Sequence, residues 1–136
     1  MPTNTTNRAE TRSISIAAPP SAALDVVGDA RRLPEWAPRF ARSVRPVDHE
    51  WLVDTGAGDL RIDVRVSRDA GTVDLVRGDP LGGAFMRVVP NHHGSELLFT
   101  LFFPAGTPDE ATDRQMATVE DELRTVRDLA EAVVAA

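Results

Sequence analysis

The C-terminal segment constrains this chain more than any other stretch. Met116, Val119, Leu123, Val126, Ala130 and Val133 recur at alternating spacings of three and four residues, which puts them on one stripe of one α-helix. Thr107-Pro108-Asp109-Glu110 supplies a start signal, a capping box with Pro at the first helical position and acids at the positive end of the helix dipole. From Pro108 onward such a helix would run roughly 40 Å at 1.5 Å per residue, long enough to cross a whole sheet. Glu120/Arg124 and Arg127/Glu131 sit four apart and are expected to pair on the wet side. Glu120-Asp121-Glu122 reads as a solvated face.

The sheet that this helix would cross is legible upstream. Arg12–Ala17 alternates polar and β-branched residues and predicts a first strand, stopped by Pro19-Pro20. Ser21 can cap a short helix reaching Gly28, and a second short helix or turn covers Ala30–Trp36, which Pro38 keeps from continuing. Six further strands are predicted at Arg42–Val47, Trp51–Thr55, Leu60–Ser67, Thr72–Arg77, Ala84–Val89 and Glu96–Phe103, separated by short turns except for a longer connection, expected to be mobile, at Gly78–Gly83. In Leu60–Ser67 the alternation is clean: Leu60, Ile62, Val64 and Val66 share one face, Arg61, Asp63 and Arg65 the other. That is a half-buried strand with one wet face.

Composition enters as a set of exclusions. The chain has no Cys, no Tyr and no Lys, and all 15 of its Lys-plus-Arg residues are Arg. Thiol nucleophiles, disulfides, phenol proton donors, Schiff-base lysines and a P-loop lysine are therefore ruled out. A net charge of −6 argues against nucleic acid as a partner. No apolar run approaches the ~18 residues of a membrane span, so no membrane insertion is expected. With 136 residues and 42% hydrophobic content the chain can bury the core of a single domain. Residues 1–10 are polar, read as a flexible N-terminal tail without a signal stretch, and 11–136 as one domain. A cytoplasmic location is the expectation that follows.

The order strand, two short helices, six strands, long helix resembles the helix-grip fold of the SRPBCC superfamily, START and Bet v 1-like, and among its members the bacterial polyketide cyclase/dehydrase-like proteins. The residues that carry the resemblance are Ile14-Ser15-Ile16-Ala17-Ala18-Pro19, Leu33-Pro34-Glu35-Trp36-Ala37-Pro38, Trp51-Leu52-Val53-Asp54-Thr55, Met86-Arg87-Val88-Val89-Pro90-Asn91 and the Gly94–Phe102 run. It implies an α+β domain in which a seven-stranded curved antiparallel sheet wraps the long C-terminal helix, with two short helices after the first strand and a cavity between sheet and helix. The resemblance also carries a departure. Asp74-Leu75 stands where many members have an Asp-His pair, so an apolar group replaces a polar handle and general acid–base catalysis is put in doubt.

The expected site follows from these two readings together. Trp36 and Phe40, in Leu33–Phe40, would line the cavity entrance or seal the core beneath it. Strand alternation turns Ile62, Val64, Leu75, Met86, Phe99 and Leu101 inward, and the helix stripe adds Met116, Val119 and Leu123. The polar groups with a route to the cavity are Glu35 and Arg39 at its mouth and Asp54 on a strand; these are the catalytic candidates. Arg65, Asp74 and Arg87 would form an ion ladder on the outer face. His49, His92 and His93 fall in turns at the far end, which speaks against a metal site, and no cofactor is called for. Function is then binding of a small hydrophobic or aromatic ligand, with polyketide cyclisation or dehydration as the reaction the resemblance implies. A non-catalytic carrier or sensor of a lipid-like ligand, and a protein-interaction module, stay open. So does a homodimer through Leu98 and Phe102 on the outer sheet face.

Overall fold

The computed structural model describes residues 6–78 and 82–135. The elements are β1 (Arg8–Ile16), α1 (Pro20–Val27), a 3-10 turn (Ala30–Arg32), α2 (Leu33–Trp36), β2 (Ser43–Val47), β3 (Glu50–Asp54), β4 (Asp59–Ser67), β5 (Thr72–Arg77), β6 (Gly83–Asn91), β7 (Gly94–Phe103) and α3 (Asp109–Ala135). The strands form one antiparallel sheet in the order β1-β7-β6-β5-β4-β3-β2. Each hairpin neighbour pairs with the next, and β1 closes against the last strand. The long α3 lies across the concave face of the curved sheet. This is the helix-grip arrangement, with seven strands and two short helices after the first.

Alternation sets the inner face as the sequence implies. Val53, Ile62, Val73, Leu75, Met86, Val88, Leu97 and Phe99 are buried and join one cluster with Met116, Val119, Leu123, Val126 and Ala130 of α3. Ala22, Ala23, Val26 and Val27 of α1 complete it at the end where β1 stops. Small side chains there let α1 sit directly on α3. The β4–β5 turn needs its glycine. Gly71 has φ +71°, and a Cβ there would lie 2.3 Å from the Val88 carbonyl oxygen.

Several local expectations are corrected. β1 starts at Arg8, not Arg12, because its ladder with β7 runs on to the Arg8–Phe103 pair. Arg8–Glu10 therefore belong to the strand, and the first five residues of the expected tail lie outside the described residues, as do residues 79–81 of the β5–β6 connection. Ser21 does not cap α1. The helix begins on Pro20, with Pro19 in the cap position and no side-chain cap bond, since proline forfeits no N–H that the first turn would use. The capping box of α3 is not formed either. Thr107 Oγ1 donates backward to the Pro104 carbonyl at 2.7 Å.

The ion pairs expected along α3 give way to tertiary ones. Glu120 accepts from Arg12 of β1 at 3.2 Å, and Glu131 accepts from the Ala17 N–H at 2.7 Å. Arg124 turns to Asp121 and Arg127 to Asp128. The outer-face ladder does not form: Arg65 stands opposite Asp74 as expected but bonds Asp63 on its own strand at 2.8 Å, and Arg87 is out of register, opposite Thr72, with Phe85 opposite Asp74. No helix among the described residues is long and apolar enough to cross a membrane.

Candidate functional site

α3 runs back from the end of β7; its first turn touches the edge strand β1 through Arg8 and Asp109, but it leaves space over part of the sheet's inner face. A cavity of about 530 Å³ opens there between sheet and helix, within the range of small-molecule sites. Leu33, Trp36, Ala37 and Phe40 wall it on one side. Ile62, Leu75, Ala84, Phe99 and Leu101 come from the inner face of the sheet. Phe103, Pro104 and Thr107 form the rim, and Ala111, Gln115 and Glu122 come from α3. The β3–β4 turn contributes no lining residue.

The ligand-wall residues anticipated from sequence thus divide. Trp36, Phe40, Ile62, Leu75, Phe99 and Leu101 line the cavity. Met86, Met116, Val119 and Leu123 are buried in the cluster that clamps α3 to the sheet, and Val64 is half-buried beside it. The reason lies in which face of α3 packs on the sheet. Its main stripe is consumed by packing, so a flank of the helix, not the stripe itself, faces the open space.

None of the catalytic candidates lines the cavity. Glu35 is exposed and accepts from Arg32 Nε at 3.0 Å. Arg39 is exposed and spans to α3, donating to Thr118 Oγ1 at 3.2 Å and to Asp121 at 3.1 Å. Asp54 ends β3 and accepts from the Gly56 N–H at 2.9 Å. Each is engaged in holding a helix turn, an element junction or a hairpin.

The charged residues that do line the cavity are Glu122 and Arg77, beside the neutral polar Thr107 and Gln115. Glu122, expected on a solvated face, is only 9% exposed, and its carboxyl makes no hydrogen bond among the described residues. Burial pushes its pKa up to about 7, against the attraction of Arg39 and with a further push from Asp121. The sequence held a signal for it: Gln115, Val119, Glu122 and Val126 recur at four, three and four, a second line beside the main stripe. Arg77 was equally accessible to reasoning, because alternation from Val73 and Leu75 carries the inward face on to residue 77.

Trp36 is both wall and plug. It lines the cavity yet is only 2% exposed, and its indole Nε1 has no hydrogen-bond partner. An indole N–H left bare in an apolar wall is a cost that a core plug would normally avoid. The histidines lie elsewhere. His92 and His93 sit exposed in the β6–β7 turn at the far end of the sheet, and His49 in the β2–β3 turn. Among the described residues no three His, Cys, Asp or Glu side chains converge as metal ligands.

No family model matches the chain, and no curated protein matches it. Solved structures do. A START superfamily protein from Mycobacterium smegmatis superposes with a TM-score of 0.70 at 11% identity, over 92% of this chain and 98% of that one. Ara h 8.0201 matches with a TM-score of 0.64 at 12% identity, over 92% and 98%. The Aha1 dimer from Colwellia psychrerythraea matches at 0.68 and 14%, over 91% and 96%. Likeness at such low identity concerns the fold: the chain has the START and Bet v 1-like helix-grip fold.

Proposed function

We propose that this protein binds a small hydrophobic or aromatic molecule in the cavity between α3 and the sheet. The observation that carries the reading is the cavity itself, about 530 Å³ with walls of Trp36, Phe40, Ile62, Leu75, Phe99 and Leu101. Apolar walls of that size exclude water and favour a ligand of two or three fused rings. Met86, Met116, Val119, Leu123 and Val64 hold the frame around it. The fold likeness to a START superfamily protein supports this reading.

The finer reading is cyclisation or dehydration of a polyketide-like intermediate, driven mainly by confinement of a flexible substrate. Glu35, Arg39 and Asp54 are given no part in it; of the acids, Glu122 faces the space where a proton would move. Carriage or sensing of a lipid-like ligand needs only the walls. The interaction-module alternative draws on Phe102, which touches the cavity but is 43% exposed and edge-on to Phe85 at 5.7 Å. Analytical ultracentrifugation over a concentration series tests whether that surface joins two copies.

The test of binding is titration with 1-anilinonaphthalene-8-sulfonate and with neutral naphthalene derivatives, against native protein and a Phe99→Trp variant that fills the cavity. Saturable binding to native protein that weakens at least tenfold in the variant is the expected result. Equal binding by both would remove the cavity from consideration.

A further inference from the structure

We propose that Glu122 is the anchor for a protonated amine, so that the cavity selects an aromatic or otherwise apolar amine over neutral and anionic molecules of the same shape. The inference rests on the cavity-binding reading and not on the cyclisation reading.

Three observations converge on it. First, Glu122 is the acidic residue lining the cavity, nine-tenths buried and without a hydrogen-bond partner among the described residues. An unpaired buried carboxyl is costly whether it ionises or keeps its proton, and a cation that brings its own N–H donors relieves that cost. Second, the surrounding walls carry the rings of Trp36, Phe40, Phe99 and Phe103. Ring faces attract ammonium groups as well as apolar bodies. Third, the carboxyl is poised: burial holds its pKa near 7, so a bound cation converts it to the charged form at neutral pH.

The charges that face Glu122 are few. Arg39, arriving from the segment after α2, attracts it across the α3 surface, and Asp121 on α3 repels it. Arg39 is itself satisfied by Asp121 and Thr118. On the sheet side Arg77 lines the opposite wall. It offers the competing possibility of holding an anion, and the experiment is built to separate the two.

Three probes with the same naphthyl body and closely matched side chains do so by calorimetry at pH 7.5: 2-(2-naphthyl)ethylamine, 2-propylnaphthalene and 2-naphthylacetate. The amine is expected to bind at least tenfold tighter than the hydrocarbon, and Glu122→Gln to erase that preference while leaving hydrocarbon affinity within twofold. A second readout needs no variant. Amine binding at pH 7 should release a fraction of a proton from the Glu122 carboxyl, so the apparent enthalpy should change with the ionisation enthalpy of the buffer, whereas that of the hydrocarbon should not. Tightest binding by the naphthylacetate assigns the anchor to Arg77 and overturns the proposal. Equal binding of amine and hydrocarbon, or an amine preference that survives in Glu122→Gln, also overturns it while leaving the apolar cavity as a site. Failure of all three probes to bind overturns both the amine proposal and the cavity reading beneath it.

Discussion

The two ends of α3 meet the same sheet in opposite ways. Toward its C-terminus, Val126 and Ala130 are fully buried in one cluster with Val26 and Val27 of α1 and with Ile16, Val88 and Leu97 at the strand ends. The one buried hydroxyl there is satisfied, as Ser95 Oγ donates to the Ala18 carbonyl at 2.9 Å. Toward its N-terminus, α1 is absent and bulky rings face the helix across open space. Polar groups there go unpaired: the Glu122 carboxyl, the Trp36 indole N–H and the Thr112 hydroxyl, fully buried with no partner. One half of the molecule is built for stability. The other gives up packing and hydrogen bonds around the cavity, a pattern in keeping with function held against stability.

Truncations should expose this contrast most strongly. Leu97→Ala in the packed half should cost about 3 to 4 kcal/mol in urea unfolding, because the lattice of neighbours cannot collapse into the gap. Leu101→Ala, on the same strand at the cavity, should cost about 1 kcal/mol, since one side of Leu101 already faces open space. Comparable losses at both would mean that the open half is as tightly packed as the closed one.

The buried acid gives the next largest effect. The folded carboxyl of Glu122 keeps its proton up to about pH 7, whereas the ordinary value is 4.5. Between those values the folded state binds more protons than the unfolded state. The contribution of this group to stability is therefore greatest below about pH 4.5, falls as pH rises, and levels off above about 7. Glu122→Gln should remove the slope and stabilise the protein by about 2 to 3 kcal/mol at pH 8 but little at pH 4.5. Chemical denaturation at both pH values checks it; an equal gain at both would point to packing instead of charge.

Paired hydroxyl substitutions sharpen the comparison further. Ser95→Ala should lose about 1 kcal/mol with its bond to Ala18, while Thr112→Val should gain about 1 kcal/mol by removing an unsatisfied hydroxyl at nearly constant shape. Thermal unfolding of both, side by side, reads the signs. The smallest effect belongs to Arg39→Ala. Its exposed ion pair with Asp121 should be worth about 0.5 kcal/mol or less, fading in 1 M salt, and ligand affinity should stay within twofold if this residue has no part in binding.

How much of this was readable in advance depends on whether a pattern was local. The strand alternation of Leu60–Ser67 and the helical stripe from Met116 to Ala130 each repeat often enough to identify the element and its buried face. The same repeats contained Arg77 and Glu122, but a charged residue at an inward position reads as an exception until space is seen beside it. Caps and ion pairs were less legible. Thr107, Ser21 and Arg124 each had a plausible neighbour in sequence, and each was decided by a partner or a backbone constraint that spacing does not encode.

The sequence by itself determined the sheet, the long helix, the order of elements and the sidedness of nearly every strand, because periods of 2 and 3.6 dictate which side chains share a face. Only the tertiary structure decided where the helix touches the sheet and where it stands away. That separation goes with which neighbour each stretch of α3 meets: α1 packs on it where the core is closed, and Trp36 and Phe40 line open space where it is not. It turned Glu122 from a surface acid into a buried one, and it sent Glu35, Arg39 and Asp54 to the outside.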